Sequence, residues 1–124
     1  MIRILHQTET MIEATLAETI THHDYHDTLL PAIKRQLDQT NNLNFCAVFE
    51  PDFHGYDMHA LVDDALIGLR YWENWNKIAL VHAPEWLDRS VHLFALFLPG
   101  KVRSFNDVVA AREWLKPEQA EAAS

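Results

Sequence analysis

The chain predicts an α/β fold, a mixed and mainly parallel five-stranded sheet with crossover helices, in the order β-β-α-β-α-β-α-β-α. Three observations carry this. Two short β-rich segments, residues 2–7 and 11–18, open the chain around a Thr8-Glu9-Thr10 break. Leu43–Phe49 and Lys77–His82 are nearly continuous apolar runs, the mark of strands covered on both faces. Helical stripes fill the intervals between strands, and such alternation implies right-handed crossovers and parallel pairing.

The opening segments read as an antiparallel pair. Ile12, Ala14 and Leu16 fall on one face, Glu13 and Thr15 on the other. Thr21 suits a helix N-cap, with Asp24 in the first turn. Tyr25, Leu29, Ile33 and Leu37 follow at spacings of four, a helical stripe. Pro31 lies inside it, and an interior proline costs about 3 kcal/mol, so a bend is expected there. Asn41-Asn42 ends the helix.

After the strand Leu43–Phe49, Asp57 caps a helix over 58–72. Pro84 suits the first turn of a helix over 84–98, which stops at Pro99-Gly100. Lys101–Phe105 alternates like an edge strand. Asn106 or Asp107 caps a last helix through Trp114-Leu115. The 124 residues fit one domain over 1–116, with an Ala/Glu-rich tail over 117–124 that frays.

The net charge of -8 disfavours nucleic acid, because an acidic surface repels phosphates. It also disfavours broad electrostatic docking on anionic lipid, though not insertion of an apolar face. Cys46 sits in an apolar strand, so it is expected to be an inert small hydrophobe. The start has no basic region followed by a long apolar run, and no stretch approaches a membrane span. A cytoplasmic location follows, with peripheral membrane contact open to an apolar helix face.

Two helices carry more apolar surface than one sheet contact needs. At about 100° per residue, Leu87, Val91, Phe94, Ala95 and Leu98 form one face of the 84–98 helix. Trp86, Ser90, Leu93 and Phe97 form a second ridge. In the 58–72 helix the main face is Met58, Leu61, Val62, Ala65, Leu69 and Trp72. A weaker ridge is Ala60, Asp64, Ile67 and Tyr71. These ridges either pack together or present an apolar surface to a ligand, a membrane or a second copy.

Residues able to do chemistry are few. His22 and His26 have the spacing of two metal ligands on one helix side, but no third ligand is set, so no metal is expected. His54 and His82 fall at the same sheet edge as Glu50 and Asp52, and a His–carboxylate pair could serve acid–base chemistry. No nucleophile elbow, phosphate loop or dinucleotide fingerprint is present, so no cofactor is expected.

Asp52-Phe-His-Gly-Tyr-Asp57, the Trp72-containing helix and Leu93–Phe105 together resemble the SpoIIAA-like family, small bacterial STAS/SEC14-type proteins. The Thr21-His-His-Asp-Tyr25 helix start and the two-strand opening match as well. The resemblance implies a five-stranded sheet with crossover helices mainly on one side. It also implies kinship with STAS antagonists, switched by phosphorylation of a Ser at the helix start after the central strand, and with SEC14-type lipid binders. The corresponding start here, Tyr56-Asp-Met-His59, has no Ser or Thr, which argues against the phosphoswitch.

The expectation is therefore a non-enzymatic domain. It would bind a lipid-like ligand or a membrane surface through the 58–72 and 84–98 helices. Ile67, Tyr71, Trp72, Trp86, Leu93 and Phe97 would supply apolar contacts, and His54 and Tyr56 polar ones at the cleft mouth. The alternative is a STAS-type interaction module, homodimeric through the Trp86/Leu93/Phe97 ridge. A third reading is a hydrolase or isomerase using His54 with Glu50 or Asp52.

Overall fold

The structure is a computed structural model that describes residues 1–96 and 100–116. The tail from Pro117 lies outside the described residues. In chain order the strands are β1 (Ile2–Gln7), β2 (Ile12–Leu16), β3 (Thr19–Ile20), β4 (Leu43–Phe49), β5 (Gly55–Tyr56), β6 (Trp75–Val81) and β7 (Lys101–Phe105). The helices are α1 (Leu30–Gln39), α2 (Met58–Arg70), α3 (Glu85–Ala95) and α4 (Val108–Leu115).

The main sheet has five strands in the order β1-β2-β4-β6-β7. Only the β1–β2 pair is antiparallel; β2–β4, β4–β6 and β6–β7 are parallel. Each crossover moves one strand further in the same direction. A common right hand then places all three crossover helices on one face. The core follows this rule. Leu43, Ala47, Phe49 and Leu80 pack with Leu29, Ile33, Ala60 and Leu87 from the crossover segments. Cys46, Ala79 and Val81 point the other way, onto Ala111 and Leu115 of α4. The period of two along β4 and β6 thus sorts each residue to its layer.

The first crossover begins with a reciprocal cap. Asp24 accepts from the backbone N–H of Thr21 at 2.8 Å, and Thr21 Oγ1 accepts from the N–H of Asp24 at 3.3 Å. The predicted bend at Pro31 takes a specific form. Asp24–Leu29 is a π-helical turn, and Leu30 donates its N–H to Tyr25 O before α1 begins. Pro31 then occupies the first turn of α1.

Asp57 caps α2 through the N–H of Ala60 at 2.7 Å, and Asp107 caps α4 through Val109 and Ala110. Gly100 enters β7 against the backbone of β6. A Cβ there would lie 2.5 Å from Trp75 O, which admits only glycine.

The two-residue strands β3 and β5 form a small parallel sheet of their own, pairing Thr19 with Gly55 and Ile20 with Tyr56. No strand is read over Gly55-Tyr56 in the sequence, because two residues are too few to show a strand period. This pairing ties the start of α2 to the first crossover, with Asp57 N–H donating to Ile20 O at 2.9 Å.

Candidate functional site

The corner after β4 is an aromatic junction. Phe53 packs edge-on against Phe49 (ring centroids 4.9 Å apart) and against Tyr56 (5.7 Å). It also stacks with Trp86 of α3 at 6.5 Å, while Tyr56 stacks with Tyr25 at 6.3 Å. Such pairs add to the burial energy of each ring. Gly55 adopts a φ of +128°, a conformation side chains resist, and the Trp86 ring covers it. The Asp52–Asp57 motif therefore joins β4, α3 and the first crossover by aromatic contact.

Beneath this junction lies an apolar cavity of about 160 Å³. Its floor is the sheet, with Ala47, Phe49 and Leu80. Its roof includes Ile67 of α2 with Leu87 and Val91 of α3. Tyr25 and Tyr56 close one side. Apolar cavities of about 150 Å³ stay dry and accept a small hydrocarbon such as benzene.

A second, outer pocket of about 170 Å³ is lined by His22, His26, Leu66 and Arg70. Tyr25 and Ile67 line both spaces, so a single layer of side chains separates them.

The predicted site residues fall in different places. Tyr56 and Ile67 line the cavity. Tyr71 is buried near it, in the same core. Trp86 is 52% exposed and lies against Gly55 and Phe53 without lining the cavity, and Leu93 is 65% exposed. His54 is exposed, and its backbone N–H donates to Glu18 O at 2.8 Å. Phe97 and the side chain of Trp72 lie outside the described residues.

The described side chains of the 58–72 helix sort by ridge; those of Leu61, Ala65, Leu69 and Trp72 on the expected main face lie outside the described residues. The weaker ridge faces inward, with Ala60 fully buried, Tyr71 buried and Ile67 half-buried. Met58 and Val62, from the expected main face, are 76% and 56% exposed, and Leu66 is exposed beside them. The small Ala60 permits close approach at the capped end, and Tyr71 brings the larger buried surface at the other.

Other polar clusters do not form a working site. Among the described residues no hydrogen bond or ion pair joins His54 to Glu50 or Asp52. His22 and His26 do lie together, ring centroids 5.6 Å apart. Among the described residues, no group of three or more His, Cys, Asp or Glu is placed to hold a metal.

Sequence reading missed one contact. His92 Nε2 lies 2.7 Å from Ser104 Oγ and 3.4 Å from Asp88, and Ser104 donates to Asp88. Serine and carboxylate meet the same imidazole nitrogen, so the relay geometry of a triad is missing. The cluster fastens α3 to β7.

Cys46 is fully buried, and burial foremost, with the Glu13 charge second, pushes its thiol up to about 12. A thiol so placed is no nucleophile.

Among the described residues, no helix is long and apolar enough to cross a membrane. The chain resembles the crystal structure of an uncharacterized protein from the DUF3478 family with a SpoIIAA-like fold, from Shewanella loihica PV-4. The likeness has a TM-score of 0.72 at 21% identity and covers 94% of this chain and 93% of that one. No curated protein matches. The SpoIIAA-like family model matches residues 11–116, from β2 through α4. Sheet order, helix placement and this match agree, and the chain belongs to the SpoIIAA-like family.

Proposed function

We propose that this domain is a non-enzymatic binder of a small apolar or amphipathic, lipid-like ligand, held under α2 and α3. The observation that carries this reading is the cavity of about 160 Å³ with apolar walls. Binding cavities for drug-sized ligands run to about 300–1,000 Å³, so the space suits a small ligand or one end of a longer one. Outward movement of α2 and α3 would admit more. Tyr56 is among the lining residues, and its hydroxyl would be a polar contact for such a ligand.

Native mass spectrometry after mild purification tests the reading. The expected result is a fraction of protein carrying a non-covalent adduct. Ala47→Leu, which fills the floor, should lose it. An adduct of equal abundance in A47L would contradict the cavity as its location.

A second reading is supported by the exposed residues of α3. Trp86 and Leu93 of α3, with Leu96 just after it, leave apolar area in water, and burying a side chain of this class is worth about 1.5–3 kcal/mol. A second copy meeting α3 would make the domain a STAS-type interaction module. Sedimentation of wild type against Leu93→Glu decides it. Dimer becoming monomer supports the reading, and a monomeric wild type ends it.

A further inference from the structure

We infer that the outer edge of β7 takes up an extended segment of a partner protein as a further strand, one that alternates acidic and apolar residues. This surface is separate from the cavity and does not depend on it. β7 ends the five-stranded sheet, so among the described residues one row of its backbone groups has no strand partner. Phe105 O accepts from His82 N–H at 3.2 Å. Phe105 therefore turns its backbone groups toward the β6 side, and by the period of two so do Arg103 and Lys101. Val102 and Ser104 turn theirs outward.

The side chains of β7 sort in the same way. The Phe105 ring meets that of Trp114 on α4, centroids 5.7 Å apart, and the Arg103 guanidinium lies over Phe105 at 5.3 Å. Lys101, Arg103 and Phe105 thus share the α4 face, while Ser104 reaches Asp88 and His92 of α3. A recess of about 440 Å³ is lined by Ala95 and Leu96 from the α3 side, by Trp114 of α4, and by Lys101 and Arg103. Walls drawn from both layers place this recess over the edge itself. A strand added there would set alternate side chains beside Lys101 and Arg103, and the others toward Ala95 and Leu96.

Charge selects the partner. Lys101 and Arg103 are exposed, and among the described residues neither makes an ion pair. Lys77 stands close by, its Nζ donating to Trp114 O at 3.0 Å. The acids of α3 and α4 are already engaged: Glu85 with Arg89, Asp88 with Ser104, and Glu113 with Lys116. The chain carries -8 overall, but at physiological salt exposed charges act over about 8 Å, so these local cations decide what docks. The outward N–H and C=O groups of Val102 and Ser104 recognise a peptide rather than a phosphate backbone or a lipid head. Basic side chains on an edge also guard against self-pairing. Two β7 edges paired about Val102 or Arg103 set cation against cation, which destabilises the pair. An acidic strand turns the same guard into attraction.

Fluorescence anisotropy with the full chain and a labelled peptide alternating Glu and Val tests this. The peptide should bind saturably, and less tightly as salt rises. Lys101→Glu/Arg103→Glu should weaken it about tenfold or more. Both side chains are exposed, so the variant keeps the fold. A peptide alternating Lys and Val should not bind, nor should the Glu/Val peptide with its amides N-methylated, because it cannot donate to the edge. Amide shifts in NMR should centre on Val102 and Ser104. Equal binding by the N-methylated peptide would overturn strand addition. Equal binding by the charge-reversed variant, or by the Lys/Val peptide, would overturn the acidic partner. No binding to the full chain, or shifts confined to residues away from β7, would overturn the whole proposal. Sedimentation showing a wild-type dimer whose contacts map to β7 would give the edge to a second copy and overturn it as well.

Discussion

Arg112 of α4 clasps Glu13 of β2 with two parallel hydrogen bonds, 2.7 Å from Nε and 2.8 Å from the terminal nitrogen. Glu13 is fully buried, while Arg112 keeps part of its side chain in water. The guanidinium hydrogen-bonds and attracts the carboxylate, holding its pKa below the ordinary 4.5 against the opposing effect of burial. This pair pins α4 to the face of the sheet away from the cavity.

Arg112→Ala leaves a buried carboxylate alone, and breaking such pairs costs about 3–5 kcal/mol. About 3 kcal/mol is expected here, because Arg112 is partly solvated. The sign with pH follows from the direction of the shift. A depressed folded pKa contributes stability above the ordinary value of 4.5, and that stability is lost as pH falls through the folded value. The gap between wild type and R112A should therefore be widest at neutral pH and narrow in acid. Urea titrations at pH 7 and below pH 4 read this directly. Replacing both partners by leucine should cost far less than R112A.

Thr21→Ala removes one half of the reciprocal cap with Asp24 and should cost about 1 kcal/mol. Asp24 is held below its ordinary pKa. Burial is the largest single effect and raises it, but the hydrogen bonds from Thr21 and Ile2 together outweigh that. Its contribution is therefore present above pH 3.8 and fades as pH falls through the folded value. Thermal melts of T21A at neutral pH should show a drop of several degrees.

Gly100→Ala should destabilise by about 2 kcal/mol or more, because the new Cβ meets the Trp75 and Asn76 carbonyls and the backbone must move. The β6–β7 edge should loosen first, so amide exchange should rise at Val102 and Ser104 before it rises in β4.

The Cys46 thiol, buried and shifted up, should be silent to thiol reagents in the native protein at pH 8. It should react at the rate at which the domain opens. Rapid native labelling would mean that α4 leaves the sheet freely.

The strand layer was open to reading because Leu43–Phe49 and the run from Lys77 are short and nearly all apolar, although the second strand starts earlier, at Trp75, and ends at Val81, leaving His82 exposed outside it. The caps at Thr21, Asp57 and Asp107 were equally readable, since each places a short acceptor before a helical stripe. The direction in which α2 faces was not. It carries apolar residues on opposite sides, so Met58/Val62 and Ile67/Tyr71 compete on equal terms until neighbours choose. In α3 the two apolar ridges adjoin each other, and Leu87 and Val91 are the ones that face inward. The two pockets were hidden for another reason. Tyr25, Ile67 and Leu87 lie far apart in the chain, and no periodicity connects them.

The cavity under α2 and α3 is the centre of the account, and methyl NMR during a 1-octanol titration tests it most directly. Saturable shifts are expected at Ile67, Leu87 and Val91, with Leu93 and Val109 unmoved. Shifts confined to exposed Val62, Leu66 and Leu93, or none at the cavity-lining methyls, would contradict it.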